Sequence, residues 1–202
     1  MPIGTIAENI ALAGISIQSS ITRTASGQIS HEVILSAADA GTLSTRTTDT
    51  AGTLTMDDAG HGISTGDIID IYWTGGVAYG ATVGTVSGTS VPFTLAGGDA
   101  LPAQGTDVTA DVQQEINTDF DGDDMKMLAV VSTKRGHIHF QEEDGTDIDA
   151  EELSSNEGWT WASDTGVTNP LAGNPVGQVM ASNGDLTGTA TLKIGVLYDS
   201  EV

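Results

Sequence analysis

Two histidines one residue apart, His137 and His139, form the most chemically suggestive pair in the chain. On a strand, residues i and i+2 project from one face, so both imidazoles would reach a common point. That is a workable arrangement for two ligands of a zinc or nickel ion. Glu142, Glu143 and His31 are candidates for a third ligand, and the spacing does not choose among them. The same pair on a solvated or interfacial face needs no ion.

A second motif, Gly62-Ile63-Ser64-Thr65-Gly66, has the spacing of a nucleophile elbow. The elbow works only where a strand precedes it and a helix follows, lifting the serine over a helix N-terminus. Here Asp67 to Trp73 follows and reads as a strand, so a glycine-bracketed turn without serine-nucleophile chemistry is expected. The cluster Asp119, Asp121, Asp123 and Asp124 resembles a calcium loop only superficially. Its glycine follows Asp121 directly, and the twelfth position is Val130 where an EF-hand needs a bidentate Glu. A solvated acidic turn and a looser carboxylate cation site both remain open readings. With 28 Asp and Glu, any pairing of carboxylates for glycoside hydrolysis is uninformative, and 4% aromatics argues against a sugar-stacking cleft. No catalytic residue, metal or cofactor is assigned, and the chain is expected not to be an enzyme.

The elements that position these groups are strands. Ile15, Ile17 and Ile21, then Ile29, His31, Val33 and Leu35, then Leu192, Ile194, Val196 and Tyr198, follow the period of two that marks half-buried strands. Ile68, Ile69, Ile71, Tyr72 and Trp73 place large groups on both faces, as in a strand covered on both sides. Asn183-Gly184 between two β-type runs signals a type I′ hairpin. Glycine recurs at 76, 80, 84 and 88, which on a strand marks a bare face, a bulge or a bend. Helical signal is weak. Its best candidates, Asp111 to Asn117 and Asp149 to Ser154, lack a wide apolar stripe. The expected fold class is all-β, with antiparallel sandwich or barrel lobes and little helix.

The 202 residues suffice for one large domain or two small ones. Acidic residues divide unevenly, a net −8 over residues 1–110 and −14 over residues 111–202. The Gly/Pro-punctuated stretch from Gly97 to Gly105 precedes that change. The expected division is an N-terminal β lobe (1–110) and a C-terminal acidic β lobe (111–202). Within the first, residues 1–13 form a possible arm and about 57–108 a small barrel-like module. A net charge of −22 excludes a protein that grips nucleic-acid phosphates, which requires clustered Lys and Arg. The absence of Cys excludes disulfides and thiolate chemistry. No basic leader or apolar run of about 18 residues is present, so a soluble, non-membrane protein is expected.

The run Ala59-Gly60-His61-Gly62-Ile63-Ser64-Thr65-Gly66-Asp67-Ile68-Ile69, followed by a strand, a Gly-Gly turn and Val83 to Leu95, resembles a small β module of tailed-bacteriophage virion proteins. That module's pattern is H-G-L-x-x-G-D-x-V, a glycine turn, then a strand ending in a Phe-Thr-Leu type run. It covers about a quarter of the chain. Residues Trp159 to Trp161, Asn169 to Gly173 and Thr191 to Asp199 resemble the C-terminal half of phage structural proteins. The resemblance implies a virion component made in the host cytoplasm, a head decoration (cement) protein clamping the major capsid protein and commonly trimeric. A tail-tube protein forming hexameric rings, or a host- or glycan-binding adhesin module, is the alternative. It carries no catalytic residues. The assembly contacts expected are Ile3, Ile6, Ile10 and Leu12 in the N-terminal segment, the cationic pair Lys134 and Arg135, and the aromatics Trp159 and Trp161.

Overall fold

The computed structural model describes residues 27–116, 118, 120–163 and 166–199, together with the backbone of four short strands among the first 26. The chain runs through β1 (Gly27–Leu35), β2 (Asp39–Arg46), β3 (Ala51–Met56), β4 (Ile68–Trp73), β5 (Gly76–Val83), β6 (Ser90–Thr94) and β7 (Asp107–Val112). Strands β2 to β7 close into an antiparallel barrel in the order β6-β3-β2-β7-β4-β5, with β5 returning to β6 where Val83 faces Phe93. Period-two alternation turns one set of residues inward: Leu43, Leu54, Ile69, Ile71, Val83, Val91, Phe93 and Val108 fill the barrel.

The second unit comprises β8 (Gln114–Ile116), β9 (Met125–Ser132), β10 (Gly136–Gln141), β11 (Asp147–Leu153), β12 (Gly158–Ala162), β13 (Gln178–Asn183) and β14 (Ala190–Tyr198). They form two antiparallel sheets, β8-β13-β10-β11 and β12-β9-β14-β1. Leu128, Val130, Ile194 and Val196 from one sheet share a single core with Ile138, Phe140, Val179 and Leu153 from the other, which makes a sandwich.

The barrel packs on the outside of this sandwich, and two strands meet there with both faces covered. In β4, Ile69 and Ile71 enter the barrel, while Asp70 and Tyr72 point outward and are nevertheless buried. In β10, Ile138 and Phe140 enter the sandwich, and His137 and His139 occupy the opposite face, also buried. The two-sided pattern of Ile68 to Trp73 is thus the barrel strand that faces the other lobe.

The all-β expectation holds, and the described residues contain no helix. Both helix candidates are strands: Asp111 and Val112 end β7, Gln114 to Ile116 form β8, and Asp147–Leu153 is β11. Neither segment had an apolar stripe to bury on a helix face, so sheet pairing prevails. The Asn183-Gly184 signal does not make a hairpin. Strands β13 and β14 lie in different sheets, and Asn183 ties the crossover by donating to the carbonyls of Ser36 and Gly188. Gly184 is required for space, since a Cβ there would sit 2.8 Å from the Tyr72 ring.

The division anticipated between residues 110 and 111 falls inside β7, and β1 pairs with β14 in the sandwich. Gly80, at positive φ, stands at a bulge opposite Asp70, where the β4–β5 register shifts between Ile69 and Ile71. In the first 26 residues Thr5–Ile6 pairs with Arg23–Thr24, and Asn9–Leu12 with Ile15–Gln18. Ile3 lies outside the described residues, as do the side chains of Ile6, Ile10 and Leu12. No helix among the described residues is long and apolar enough to cross a membrane.

Candidate functional site

At the seam between barrel and sandwich, Asp70 meets His137 and His139 with all three buried. Strand β10 supplies both imidazoles from one face, as the His-x-His spacing implies, and β4 supplies the carboxylate. His139 Nε2 lies 2.8 Å from His137 Nδ1, 2.9 Å from Gln113 Nε2 and 3.3 Å from Asp70 Oδ2. Asp70 Oδ1 accepts from the Gln113 amide at 2.8 Å and from the bulge N–H of Gly80 at 2.9 Å. Asp70 Oδ2 accepts from the Ser182 hydroxyl at 2.5 Å, and Ser182 Oγ lies 2.5 Å from the Tyr72 hydroxyl. With Ser182 donating to Asp70, Tyr72 donates to Ser182, and two hydroxyls lead toward one carboxylate. Tyr79 stacks on His137 at 4.7 Å and meets His139 edge-on at 5.2 Å.

Burial would raise the Asp70 carboxyl, but the hydrogen bond and charge of His139, with His137 and Ser182 adding, hold it below the ordinary carboxylate range. Burial likewise pulls His139 down, yet the Asp147 and Asp70 carboxylates push it up to about 9. His137 goes the other way. Burial lowers it to about 4 against the attraction of Asp70, with the His139 charge assisting. The cluster at neutral pH therefore contains an ionised Asp70, a charged His139 and a neutral His137. Burial, then the charge of Asp70, raises Tyr72 well above its ordinary value and keeps it a donor. Beside the cluster, burial raises Asp111 to about 7 although it accepts the Asn183 N–H at 2.8 Å.

The arrangement can bind a proton or a cation. Ser182 bonds to the carboxylate and not to an imidazole, so it lacks the serine-to-histidine contact that activates a nucleophile. None of His31, Glu142 and Glu143 joins the histidines in the cluster; the third group is Asp70. One signal pointed to it: a lone carboxylate inside a run with bulky groups on both faces must be buried, and a buried carboxylate needs a counter-charge.

The other residues singled out have partners within the chain. Arg135 donates to Glu152 at 2.7 Å and to the carbonyls of Trp73 and Gly76 at 3.0 Å each, with its guanidinium 5.3 Å from the Tyr72 ring centre. It thereby clips the β4–β5 turn onto the sandwich. Lys134 donates to Asp185 and Thr187 at 3.3 and 3.2 Å. Trp161 is in the sandwich core, its indole N–H on the Val167 carbonyl at 3.1 Å, and Trp159 lies 5.9 Å from Phe140. Of the acidic cluster, Asp119 lies outside the described residues; Asp121 accepts the Asp123 N–H and closes a turn, and Asp123 accepts the N–H of the distant Gly173 and ties that loop down.

The His61 module is a locked loop. His61 is buried, with Nε2 3.1 Å from the Gly88 carbonyl and Nδ1 accepting the Ile63 N–H at 3.1 Å. Those two contacts require the tautomer protonated on Nε2. Asp67 accepts the Ser64 N–H at 2.7 Å, and Thr65 accepts the Val86 N–H at 2.9 Å. Gly62 and Gly66 take positive φ, and strand β4 follows. Ser64 thus sits in an exposed turn. His61→Ala is expected to leave two backbone groups unpaired and to lower unfolding free energy by about 1–3 kcal/mol in urea titration. A loss within ~0.5 kcal/mol would mean that the loop does not depend on this ring.

No family model matches the chain, and no curated protein does. Among solved structures, one titled "Structure of infectious bursal disease virus Gx strain" aligns with 97% of this chain and 38% of its own, at 8% identity and a TM-score of 0.26. The chain thus spans well under half the length of that protein, and a likeness at this level carries no argument about fold or function.

Proposed function

We propose that this chain is a structural component of a tailed-phage virion, a head decoration (cement) protein that clamps neighbouring copies of the major capsid protein. The observation that supports this reading is an all-strand body in which the residues carrying the phage resemblance do architectural work. His61, Gly62, Gly66 and Asp67 lock a loop of the closed barrel, and that barrel is bonded to a sandwich through a buried polar seam. The resemblance implies that a tail-tube protein would usually carry a helix packed on its barrel and a long stacking hairpin. The described residues are strands and turns without a helix, which favours decoration over the tube. The partners are the major capsid protein and further copies of this chain, in a trimer.

Electron microscopy of the purified protein and co-sedimentation with heads lacking it test the reading together. Discrete trimers that bind heads are expected. Stacked rings or tubes would move the protein to the tail, and a monomer that binds glycans would make it an adhesin module. Because copies at −22 repel one another, association is expected to tighten between ~20 and ~500 mM NaCl as the Debye length shortens. Weakening over that range would show that oppositely charged surfaces drive assembly.

A further inference from the structure

We propose that Asp70, His137 and His139 form a site for a divalent transition-metal cation of the zinc class, buried in the seam and holding barrel to sandwich. One carboxylate oxygen and two imidazole nitrogens are a donor set that zinc-like cations accept, whereas Mg²⁺ and Ca²⁺ take all-oxygen sets. The donor atoms already converge: 2.8 Å between the two histidine nitrogens, 3.3 Å from His139 Nε2 to Asp70 Oδ2, and all three within 4.8 Å of one another. Bonds of about 2.0–2.1 Å to a shared tetrahedral ion, with a water in the fourth position, set ligand atoms about 3.3 Å apart, which matches the His139–Asp70 separation and exceeds the His139–His137 one by about 0.5 Å.

Two observations favour an ion over a hydrogen-bonded cluster. The first is crowding at His139 Nε2, which has a nitrogen of His137, the amide nitrogen of Gln113 and an oxygen of Asp70 around it. If Nε2 carries a proton, the Gln113 N–H opposes it. If Nε2 is a lone pair, the Asp70 oxygen opposes it and two donors compete for one acceptor. A cation placed among Asp70, His137 and His139 receives the carboxylate and both imidazole lone pairs, while the Gln113 amide keeps its N–H on Asp70 Oδ1.

The second is His139 Nδ1, which is buried without a hydrogen-bond partner yet lies 3.7 Å from Asp147 Oδ1. With Nε2 on a cation, Nδ1 keeps the proton and faces that carboxylate, the arrangement that orients most metal-bound histidines. The Ser182 hydroxyl and the Gly80 N–H fix the two Asp70 oxygens in the same way. Because the ligands come from both lobes and all are buried, the ion acts as a structural clasp.

The test uses tag-free protein stripped with a chelator, loaded with Zn²⁺ or Co²⁺ in excess Mg²⁺, desalted, and assayed by elemental mass spectrometry and visible absorption. The expected result is about one retained equivalent, intense visible bands of four-coordinate cobalt, and a melting temperature raised by on the order of 5 °C over the chelated protein. Asp70→Asn and His137→Gln are each expected to weaken affinity at least tenfold. Failure of the wild-type protein to retain stoichiometric metal overturns the proposal, as does undiminished retention by either folded variant. If the variants do not fold, the wild-type cobalt spectrum decides. Weak bands of six-coordinate cobalt would place the ion on the acidic surface and overturn the site.

Discussion

Asp70→Ala is expected to lower unfolding free energy by roughly 3–5 kcal/mol, the range for removing one partner of a buried charge pair. The substitution strips an acceptor from four groups at once: the Gln113 amide, the Gly80 N–H, the Ser182 hydroxyl and the imidazole of His139. It also leaves His139 in the seam with Asp147 as its remaining anionic neighbour, and Asp147 is partly solvated. Asp70→Asn keeps one acceptor oxygen and is expected to fall between wild type and Asp70→Ala. Urea titration of the chelated proteins measures the difference, and hydrogen exchange locates it. Exchange should quicken first in β4, β7, β10 and β13, the strands that meet at the seam. A cost below ~1 kcal/mol for Asp70→Ala would mean that the seam does not depend on the Asp70 cluster.

The second large effect is a pH dependence centred on Asp111. Its pKa rises from 3.8 to about 7 in the folded protein, first because it is buried, with the Asp70 and Asp39 carboxylates adding repulsion. A carboxyl with a raised folded pKa binds its proton more tightly when folded. Its contribution to stability is therefore complete below pH ~4 and is lost as pH rises through about 7. A shift of about 3 units corresponds to at most about 4 kcal/mol. Asp111→Asn retains an acceptor for the Asn183 N–H and cannot ionise. It is expected to match wild type near pH 4 and to exceed it by up to about 4 kcal/mol at pH 8. Urea unfolding of both proteins at the two pH values decides the matter; a difference independent of pH would show that Asp111 does not titrate in this window.

The strands and the shared face of His137 and His139 were legible in the sequence because a period of two is a local property. What depended on distant pairing was not. Asp70 lies 69 positions from His139, and only the closure of the barrel and its docking on β10 bring the two together. The run Ile68 to Trp73 read as a strand covered on both faces, but the carboxylate inside it, Asp70, was not singled out, and its counter-charge could not be identified from the sequence. Asn183-Gly184 has the right residues for a tight hairpin, yet the Asp111 carboxylate and the Arg135 carbonyl hold the two backbone N–H groups and direct the chain into another sheet. In His61 the motif was recognised by its spacing, whereas the reason for the histidine, a ring bonded at both nitrogens to the loop it closes, required the folded loop.

The pairing of β1 with β14 governs how the chain can be made. Leu35 faces Ala190 and Gly27 faces Tyr198, so β1 is translated at least 155 residues before its partner. The barrel, spanning residues 39–112, can close while β1 waits unpaired, with alternate apolar side chains and a full row of backbone donors and acceptors exposed. Contacts of such sequence separation form slowly. During synthesis, the interval between barrel closure and the arrival of β14 is when a neighbouring nascent chain could supply the missing strand, so slow translation or crowded polysomes should favour strand-exchanged assemblies over the correctly closed sandwich.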